Sequence, residues 1–300
     1  MAAGRNCGES ELTMATLTAD SYNTGFLPTW CPGCGDFGIW KSLQGAFASL
    51  GIGPDDGLVI YGVGCHGNMY DWMKMYGFAG LHGRTLPVAQ GAKLANHTLP
   101  VVVVSGDGDC LGEGGNHFMH AAKRNPDVTV ILHDNQVYGL TTGQASPTAK
   151  PGFVTKSTPE GATDAPMNPL ALAIVSGATF VARAFAGDLP GLTAIMAQAM
   201  KHKGFSVVDV LQPCVTFDKV HTYQWYRQRL YKLETSEYTP DNKLKAIERA
   251  MEWGDKIPVG IFYQEERPTS EALEPALQGE PLYRLPLEVA HWDKLLNEFV

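Results

Sequence analysis

Val101-Val102-Val103-Val104-Ser105-Gly106-Asp107-Gly108-Asp109 is the stretch on which the fold turns. An unbroken valine run suits a strand covered on both faces, because β-branched side chains fit the pleated backbone and such a strand needs no polar alternation. After the glycine-rich turn, a helix is expected near Gly115 to Arg124, and Val128 to His133 reads as a second strand. Strand, helix and strand in that order make a β-α-β unit with its strands parallel.

The same alternation extends in both directions. From Asp36 to Leu50 apolar residues recur at helical spacing (Phe37, Trp40, Leu43, Phe47, Leu50), and Gly51 and Gly53 end the helix. A strand at Gly57 to Val63 follows, and a helix from Pro190 to Lys203 leads to another strand, Phe205 to Leu211. The expectation is an α/β fold with a doubly wound, mostly parallel sheet, and ligands beyond the carboxyl ends of its strands. Residues 1–25 lack periodicity and read as an extended arm with Cys7 a plain thiol; residues 26–222 form the binding domain. Ala145 to Pro169 reads as a long ordered loop with a functional role. Residues 223–300 open on Tyr223, Trp225, Tyr226, Arg227, Arg229 and Tyr231, which suggests a C-terminal extension lying over the core or a partner.

Composition narrows the function. Hydrophobic residues make up 44% and charged residues 18% of the chain, a balance that supports a packed core. The net charge of −8, with no basic block, removes the electrostatic footprint of a nucleic-acid binder. No apolar run approaches the roughly 20 residues that span a bilayer, and the first residues show no basic and apolar signal pattern. A soluble, cytoplasmic protein is expected, with neither nucleic acid nor membrane as partner.

Asp107 stands at the end of one predicted strand and Asn135 at the end of the next, so both reach the same sheet edge. A dinucleotide fingerprint does not fit, because the glycine spacing is wrong and Asp107 would face a pyrophosphate directly. With Mg²⁺ the same residues make sense: a small hard cation takes oxygen ligands and bridges carboxylates to phosphates. Asp107 would supply charge, Asn135 a carboxamide oxygen and Val137 its backbone carbonyl, while Gly108 lets the backbone approach the phosphates at a helix N-terminus.

Cys31-Pro32-Gly33-Cys34 sets two thiols one tight turn apart, a geometry open to iron–sulfur, zinc or disulfide chemistry. Cys65 and Cys214 also sit where the chain turns at strand ends, so they could join the first pair. Thiolates arranged tetrahedrally suit zinc and a cubane cluster alike, and spacing alone does not choose. Cys7 and Cys110 read as ordinary thiols.

Trp30-Cys31-Pro32-Gly33-Cys34-Gly35, Gly64-Cys65, His82-Gly83-Arg84-Thr85-Leu86-Pro87, Gly106-Asp107-Gly108-Asp109 and Asp134-Asn135-Gln136-Val137-Tyr138-Gly139-Leu140-Thr141 together resemble the β subunits of 2-oxoacid:ferredoxin oxidoreductases. The likeness continues through Ser146-Pro147-Thr148 and Pro213-Cys214-Val215-Thr216-Phe217. It implies a thiamine diphosphate-binding fold, with one four-iron, four-sulfur cluster on Cys31, Cys34, Cys65 and Cys214, and Mg²⁺ on Asp107, Asn135 and Val137. It further implies that Val63, Gly64, Cys65, His66, His82, Gly83, Arg84, Thr85, Gly108, Asp109, Gly139, Leu140 and Lys219 line the cofactor. His66-Gly67 departs from the small hydroxyl residues common in the family, so the resemblance assigns His66 no definite contact.

The activity so implied is CoA-dependent oxidative decarboxylation of a 2-oxoacid to acyl-CoA and CO₂, with electrons passed to ferredoxin. The Trp-Cys-Pro-Gly-Cys-Gly-Asp version resembles 2-oxoglutarate enzymes more than pyruvate-specific ones. The activating glutamate is expected from an α subunit, in an (αβ)₂ assembly. Two other classes remain to be separated: a non-redox thiamine diphosphate decarboxylase or synthase subunit, and a non-enzymatic metal-cluster module.

Overall fold

The structure, a computed structural model, describes residues 16–286 and 292–299. Cys7 lies outside them. The described end of the N-terminal arm is not extended: Ala19–Tyr22 forms one 3-10 turn, and Tyr22 is buried with its hydroxyl donating to the Ile52 carbonyl at 2.6 Å. An aromatic ring anchored in this way holds the arm against the first helix.

In chain order the main elements are α1 (Asp36–Leu50), β1 (Leu58–Tyr61), β2 (Tyr76–Ala79), α2 (Thr85–Ala95), β3 (Val101–Gly106), α3 (Gly115–Arg124), β4 (Thr129–Asp134) and a small ribbon of β5 (Val137–Tyr138) with β6 (Gln144–Ala145). There follow α4 (Pro169–Ser176), β7 (Phe180–Phe185), α5 (Leu189–Lys201), β8 (Ser206–Leu211), α6 (Tyr223–Arg227), β9 (Leu230–Lys232), α7 (Lys243–Ala250) and β10 (Ile257–Gln264). Eight strands form one sheet in the order β2-β1-β3-β4-β8-β7-β10-β9, parallel except where β10 runs against β7. The predicted doubly wound sheet is therefore present.

Alternation along the buried strands sorts the core into two layers. Val102, Val104, Ile131 and Val208 pack with Leu43 and Phe47 of α1 and Met196 of α5 on one face. Val101, Val103, Val130 and Val207 meet Leu86 of α2, Phe118 of α3 and Ile174 of α4 on the other. α1 ends at Gly51, whose φ of 68° is the left-handed cap that glycine supplies without a Cβ clash.

The stretch after residue 222 contributes β9 and β10 to the far edge of the same sheet. Its aromatic opening turns inward: Tyr226 is buried against Phe185, Trp225 stands edge to face with Tyr226 and His221, and Trp253 packs beside His221. At the opposite edge of the sheet Tyr76 and Phe78 on β2 and the nearby Leu81 are exposed. Among the described residues no helix is long and apolar enough to cross a membrane.

Candidate active site

Parallel register decides which residues meet. Gly106 of β3 pairs with His133 of β4, and Asp134 of β4 with Leu211 of β8. Past those pairs the chain delivers Asp107, Asn135 and Gln212 to one edge of the sheet. β1 ends beside β3 and hands on Gly62, Val63, Gly64 and Cys65 at the same edge.

Asp107 is 1% exposed and accepts four hydrogen bonds: Gly108 N at 2.9 Å on Oδ1, and Gln136 N at 2.9 Å, Ser146 Oγ at 2.6 Å and Thr148 Oγ1 at 2.5 Å on Oδ2. Burial pushes its carboxyl above the usual range, and these donors act against that push. Thr148 Oγ1 also lies 2.7 Å from Asp134 Oδ1. One hydroxyl hydrogen cannot serve both carboxylates. Burial, with the charges of Asp209 and Asp107, drives Asp134 well above the usual carboxylate range.

This arrangement bears on the hard-cation site. Oδ2 of Asp107 is saturated, whereas Oδ1 has a single N–H and retains acceptor capacity. Asn135 Oδ1 likewise accepts one N–H, from Val137 at 3.1 Å. Both oxygens can take a cation, so the donor set fits Mg²⁺. Among the described residues no three His, Cys, Asp or Glu side chains form a ready metal group; a site of carboxylate, carboxamide and backbone carbonyl is of a different kind.

Asp109 ties the walls together. Its carboxylate accepts from His82 Nδ1 at 2.6 Å, Gly83 N at 2.8 Å, Val63 N at 3.3 Å and Ser105 Oγ at 2.5 Å. Burial would raise its pKa, and the Ser105 hydroxyl and the Gly83 N–H act against that push. Its side chain thus reaches the site through the Val63 and His82–Thr85 segments that it holds. His66 is buried, and its Nε2 accepts the Gly106 N–H at 3.0 Å, locking the loop after β1 to the end of β3. A Cβ at Gly62 would fall 1.9 Å from Asp109 Oδ2, so this crossing needs glycine.

Gly108, expected to admit phosphates, admits in this structure the Tyr138 ring, whose Cε1 would lie 2.3 Å from an added Cβ. Tyr138 donates to Glu113 Oε2 at 3.2 Å and stands edge-on to His82 with centroids 6.2 Å apart. Arg84 Nη1 donates to the Glu113 carbonyl at 3.4 Å, and Thr85, buried, begins α2. Leu140 is exposed beside Gly139.

The cysteine segments meet at this same edge. Gly35 N donates to the Pro213 carbonyl at 3.2 Å, Trp30 Nε1 donates to the Cys65 carbonyl at 2.7 Å, and a Cβ on Gly139 would come within 2.9 Å of Cys65 Sγ. Cys31, Cys34, Cys65 and Cys214 are all free thiols, so no disulfide joins the Cys31/Cys34 turn. Burial, then the charges of Asp36, Cys214 and Cys31, push the Cys65 thiol up to about 12. Free thiols on mutually bonded loops are the soft donors an iron–sulfur group takes, and among the described residues no three of them stand together as a ready metal group. Lys219 lies over the same loop, donating to the Val215 carbonyl at 2.6 Å.

Sequence reasoning assigned no role to Asp36, His133, Gln136, Ser146, Thr148 or Gln212. Asp36 accepts the Cys34 thiol at 3.3 Å and pairs with His133 Nδ1 at 2.7 Å. The signal available was positional, since polar residues directly after apolar strands or motif cysteines have no business in a core unless they are bonded.

Residues 62–210 match the thiamine pyrophosphate enzyme, C-terminal TPP binding domain, and residues 214–278 match the C-terminal domain of the pyruvate ferredoxin oxidoreductase beta chain. The chain is 49% identical over 249 residues to the 2-oxoacid:ferredoxin oxidoreductase subunit beta of Saccharolobus solfataricus, covering 79% of this chain and 82% of that one. It is 46% identical over 189 residues to the 2-oxoglutarate oxidoreductase subunit KorB of Mycobacterium tuberculosis, covering 63% of this chain and 51% of that one. A solved structure, 2-oxoglutarate:ferredoxin oxidoreductase from Magnetococcus marinus with 2-oxoglutarate, coenzyme A and succinyl-CoA bound, superposes with a TM-score of 0.87 at 35% identity, over 97% of this chain and 98% of that one.

Proposed function

Because this chain belongs to the β subunits of the 2-oxoacid:ferredoxin oxidoreductases, we propose that it carries the Mg²⁺–diphosphate half of a thiamine diphosphate site and one four-iron, four-sulfur cluster, and that the enzyme converts 2-oxoglutarate and coenzyme A to succinyl-CoA and CO₂ while reducing ferredoxin. The observation that carries this reading is the convergence of Asp107, Asn135 and the three segments that bear the four cysteines on one sheet edge. The 2-oxoglutarate relatives and the ligands named for the Magnetococcus marinus enzyme support the choice of substrate.

When bound, thiamine diphosphate supplies the electron sink for loss of CO₂ and the cluster accepts electrons one at a time. The chain's own part is orientation and electrostatics. Asp107 and Asn135 would hold the cation through oxygens with acceptor capacity to spare, and Val137 would add its carbonyl. Thr148 Oγ1 bridges Asp107 and Asp134 and, with Ser146, fixes the Asp107 side chain beside that cation. Asp109 holds His82, Gly83 and Val63 in register, so that the walls keep their shape when a charged group enters. Cys31, Cys34, Cys65 and Cys214 would hold the cluster.

An α subunit would bring the acid that activates the cofactor, and the exposed Tyr76, Phe78 and Leu81 at the β2 edge offer it an apolar, unpaired strand. The test is to purify the chain anaerobically, alone and with its α subunit, to assay iron, sulfide and thiamine diphosphate, and to follow viologen reduction with 2-oxoglutarate and with pyruvate. Cluster and cofactor in the complex, 2-oxoglutarate-driven turnover and little activity in the chain alone are expected. Cofactor without iron would make it a non-redox enzyme subunit. Equal turnover without the partner would show that this chain contains its own activating acid.

A further inference from the structure

Gln212 follows β8 directly and its side chain is buried. Its backbone N–H donates to the Asp134 carbonyl at 2.9 Å, continuing the ladder one step beyond the strand and fixing where the carboxamide projects. Asn135 Nδ2 donates to Gln212 Oε1 at 3.3 Å, and Gln212 Nε2 donates to Cys34 Sγ at 3.5 Å. The orientation follows from the neighbours. Asn135 Oδ1 accepts the Val137 N–H at 3.1 Å, so Asn135 turns its NH₂ to Gln212, which answers with its oxygen and keeps its own NH₂ for the sulfur. A Cβ on Gly35 would lie 2.5 Å from Gln212 Cγ, so the Cys31–Cys34 turn packs directly on this side chain.

We propose that the Gln212 carboxamide couples the two half-sites, acting as a positioning residue that makes the cluster's reduction potential depend on whether thiamine diphosphate and Mg²⁺ are bound. The inference rests on the reading above, in which Asn135 is a Mg²⁺ donor and Cys34 a cluster ligand. A cation drawing on Asn135 Oδ1 polarises that amide and strengthens its N–H donor. Gln212 Oε1 then accepts more strongly, and the polarisation passes through the conjugated carboxamide to the N–H aimed at sulfur. A stronger N–H···S bond disperses charge on the ligating sulfur and favours the reduced cluster. The coupling is reciprocal, so a reduced cluster tightens cofactor binding by the same factor.

The test uses the complex with its α subunit, purified anaerobically, and an EPR-monitored redox titration with and without thiamine diphosphate and Mg²⁺. In the wild type the cofactor should move the midpoint potential to a more positive value. Gln212→Glu still accepts from Asn135 but brings no amide N–H to sulfur, so its potential should fall and its response to cofactor vanish, and its cofactor affinity should no longer differ between the oxidised and reduced states. Gln212→Met fills the volume with neither group and should lose both the response and some affinity. A cofactor-induced shift that persists undiminished in both variants overturns the proposal. If neither variant assembles a cluster, the wild type decides alone, because equal thiamine diphosphate affinity in oxidised and dithionite-reduced protein also overturns it. A wild-type complex that lacks iron or thiamine diphosphate overturns the underlying reading, a result distinct from intact cofactors without coupling.

Discussion

Gln136 donates its backbone N–H to Asp107 Oδ2 across 2.9 Å, and it does so from a φ of 63°, in the left-handed region. A non-glycine residue there costs about 1–2 kcal/mol. The cost is tolerated because the turn between β4 and β5 must point this N–H back at a buried carboxylate while sending Asn135 the other way. Strain of this kind is found where a site is over-determined by its surroundings.

Substitution at Gln136 should therefore invert the ordinary order of alanine and glycine. Gln136→Gly and Gln136→Ala lose the same buried carboxamide, but only glycine adopts φ of 63° freely. Chemical denaturation should find the glycine variant more stable by about 1 kcal/mol. The usual order, alanine above glycine, would mean that the turn relaxes once the side chain is gone.

Asp107 combines a fold role with a ligand role, and two variants separate them. Asp107→Ala leaves the N–H of Gln136 and the hydroxyls of Ser146 and Thr148 without their acceptor, at about 1–3 kcal/mol for each buried group left unmade. Asp107→Asn keeps one oxygen for those donors and removes the charge that offsets a cation. Both should be purified without bound thiamine diphosphate, but only the alanine variant should show a large drop in Tm. Normal thiamine diphosphate content in folded Asp107→Asn would show that the carboxylate is not a cation ligand.

Asp218 should make stability fall at acid pH. Burial would raise its pKa, but the His221 ring, 2.5 Å from Oδ2, and the N–H groups of Val220 and His221 hold it below the usual range. A carboxylate depressed in the folded state stabilises fully above its unfolded pKa, about 3.9 for Asp, and that contribution fades as pH falls through the lower, folded value. Tm measured between neutral and acid pH should therefore decline less steeply in Asp218→Asn than in the wild type. Parallel curves would show that the pair does not contribute through ionisation.

What could be read from the chain follows a physical line. α1, α3, β3 and the helix later found as α5 were legible because each shows a local pattern, helical spacing or an unbroken β-branched run, bounded by a turn. β7 was not, because Phe180–Phe185 carries Arg183 at its centre, and a charged residue reads as exposed. In the fold Arg183 is 1% exposed and meets Asp209 of β8 at 2.8 Å, a pairing set by the Arg183↔Asp209 register that no local pattern reveals. β2 was missed for the opposite reason: all of its residues are exposed, so it lacks the apolar alternation of a half-buried strand.

The site divides in the same way. The turn glycines and Asp107, Asn135 and the motif cysteines were legible because their residue types and strand-end positions stand out locally. The second layer was not, because its members are joined across long separations: Ser146 and Thr148 to Asp107, Asp36 to His133, Gln212 to Cys34. The register of β3, β4 and β8 sets Asp107, His133 and Gln212 side by side, and the start of α1 and the loop after β6 fold onto them.

The cysteines supply the last prediction, and it can be read before any cluster is assembled. Cys31 is exposed, whereas Cys34 and Cys110 are buried and Cys65 is half-buried. Burial first, and then Asp36, Cys214 and Cys31, push the Cys65 thiol up to about 12, so at neutral pH almost none of it is the reactive thiolate. Burial drives the Cys34 and Cys110 thiols up as well. Mild iodoacetamide treatment of the cluster-free chain, read by peptide mass spectrometry, should therefore label Cys31 well ahead of Cys34, Cys65 and Cys110. In the anaerobically assembled protein Cys31 should become protected, since a thiolate bonded to iron is not free to attack. Replacing Cys31, Cys34, Cys65 or Cys214 with serine should each damage the cluster spectrum, because soft iron sites select thiolate over hydroxyl. Cys7→Ser and Cys110→Ser should leave the spectrum intact, although the second buries a hydroxyl at a cost of about 1–3 kcal/mol in stability. An unchanged spectrum in any of the first four serine variants, or a Cys31 that stays fully reactive in iron-loaded protein, would require a different ligand set.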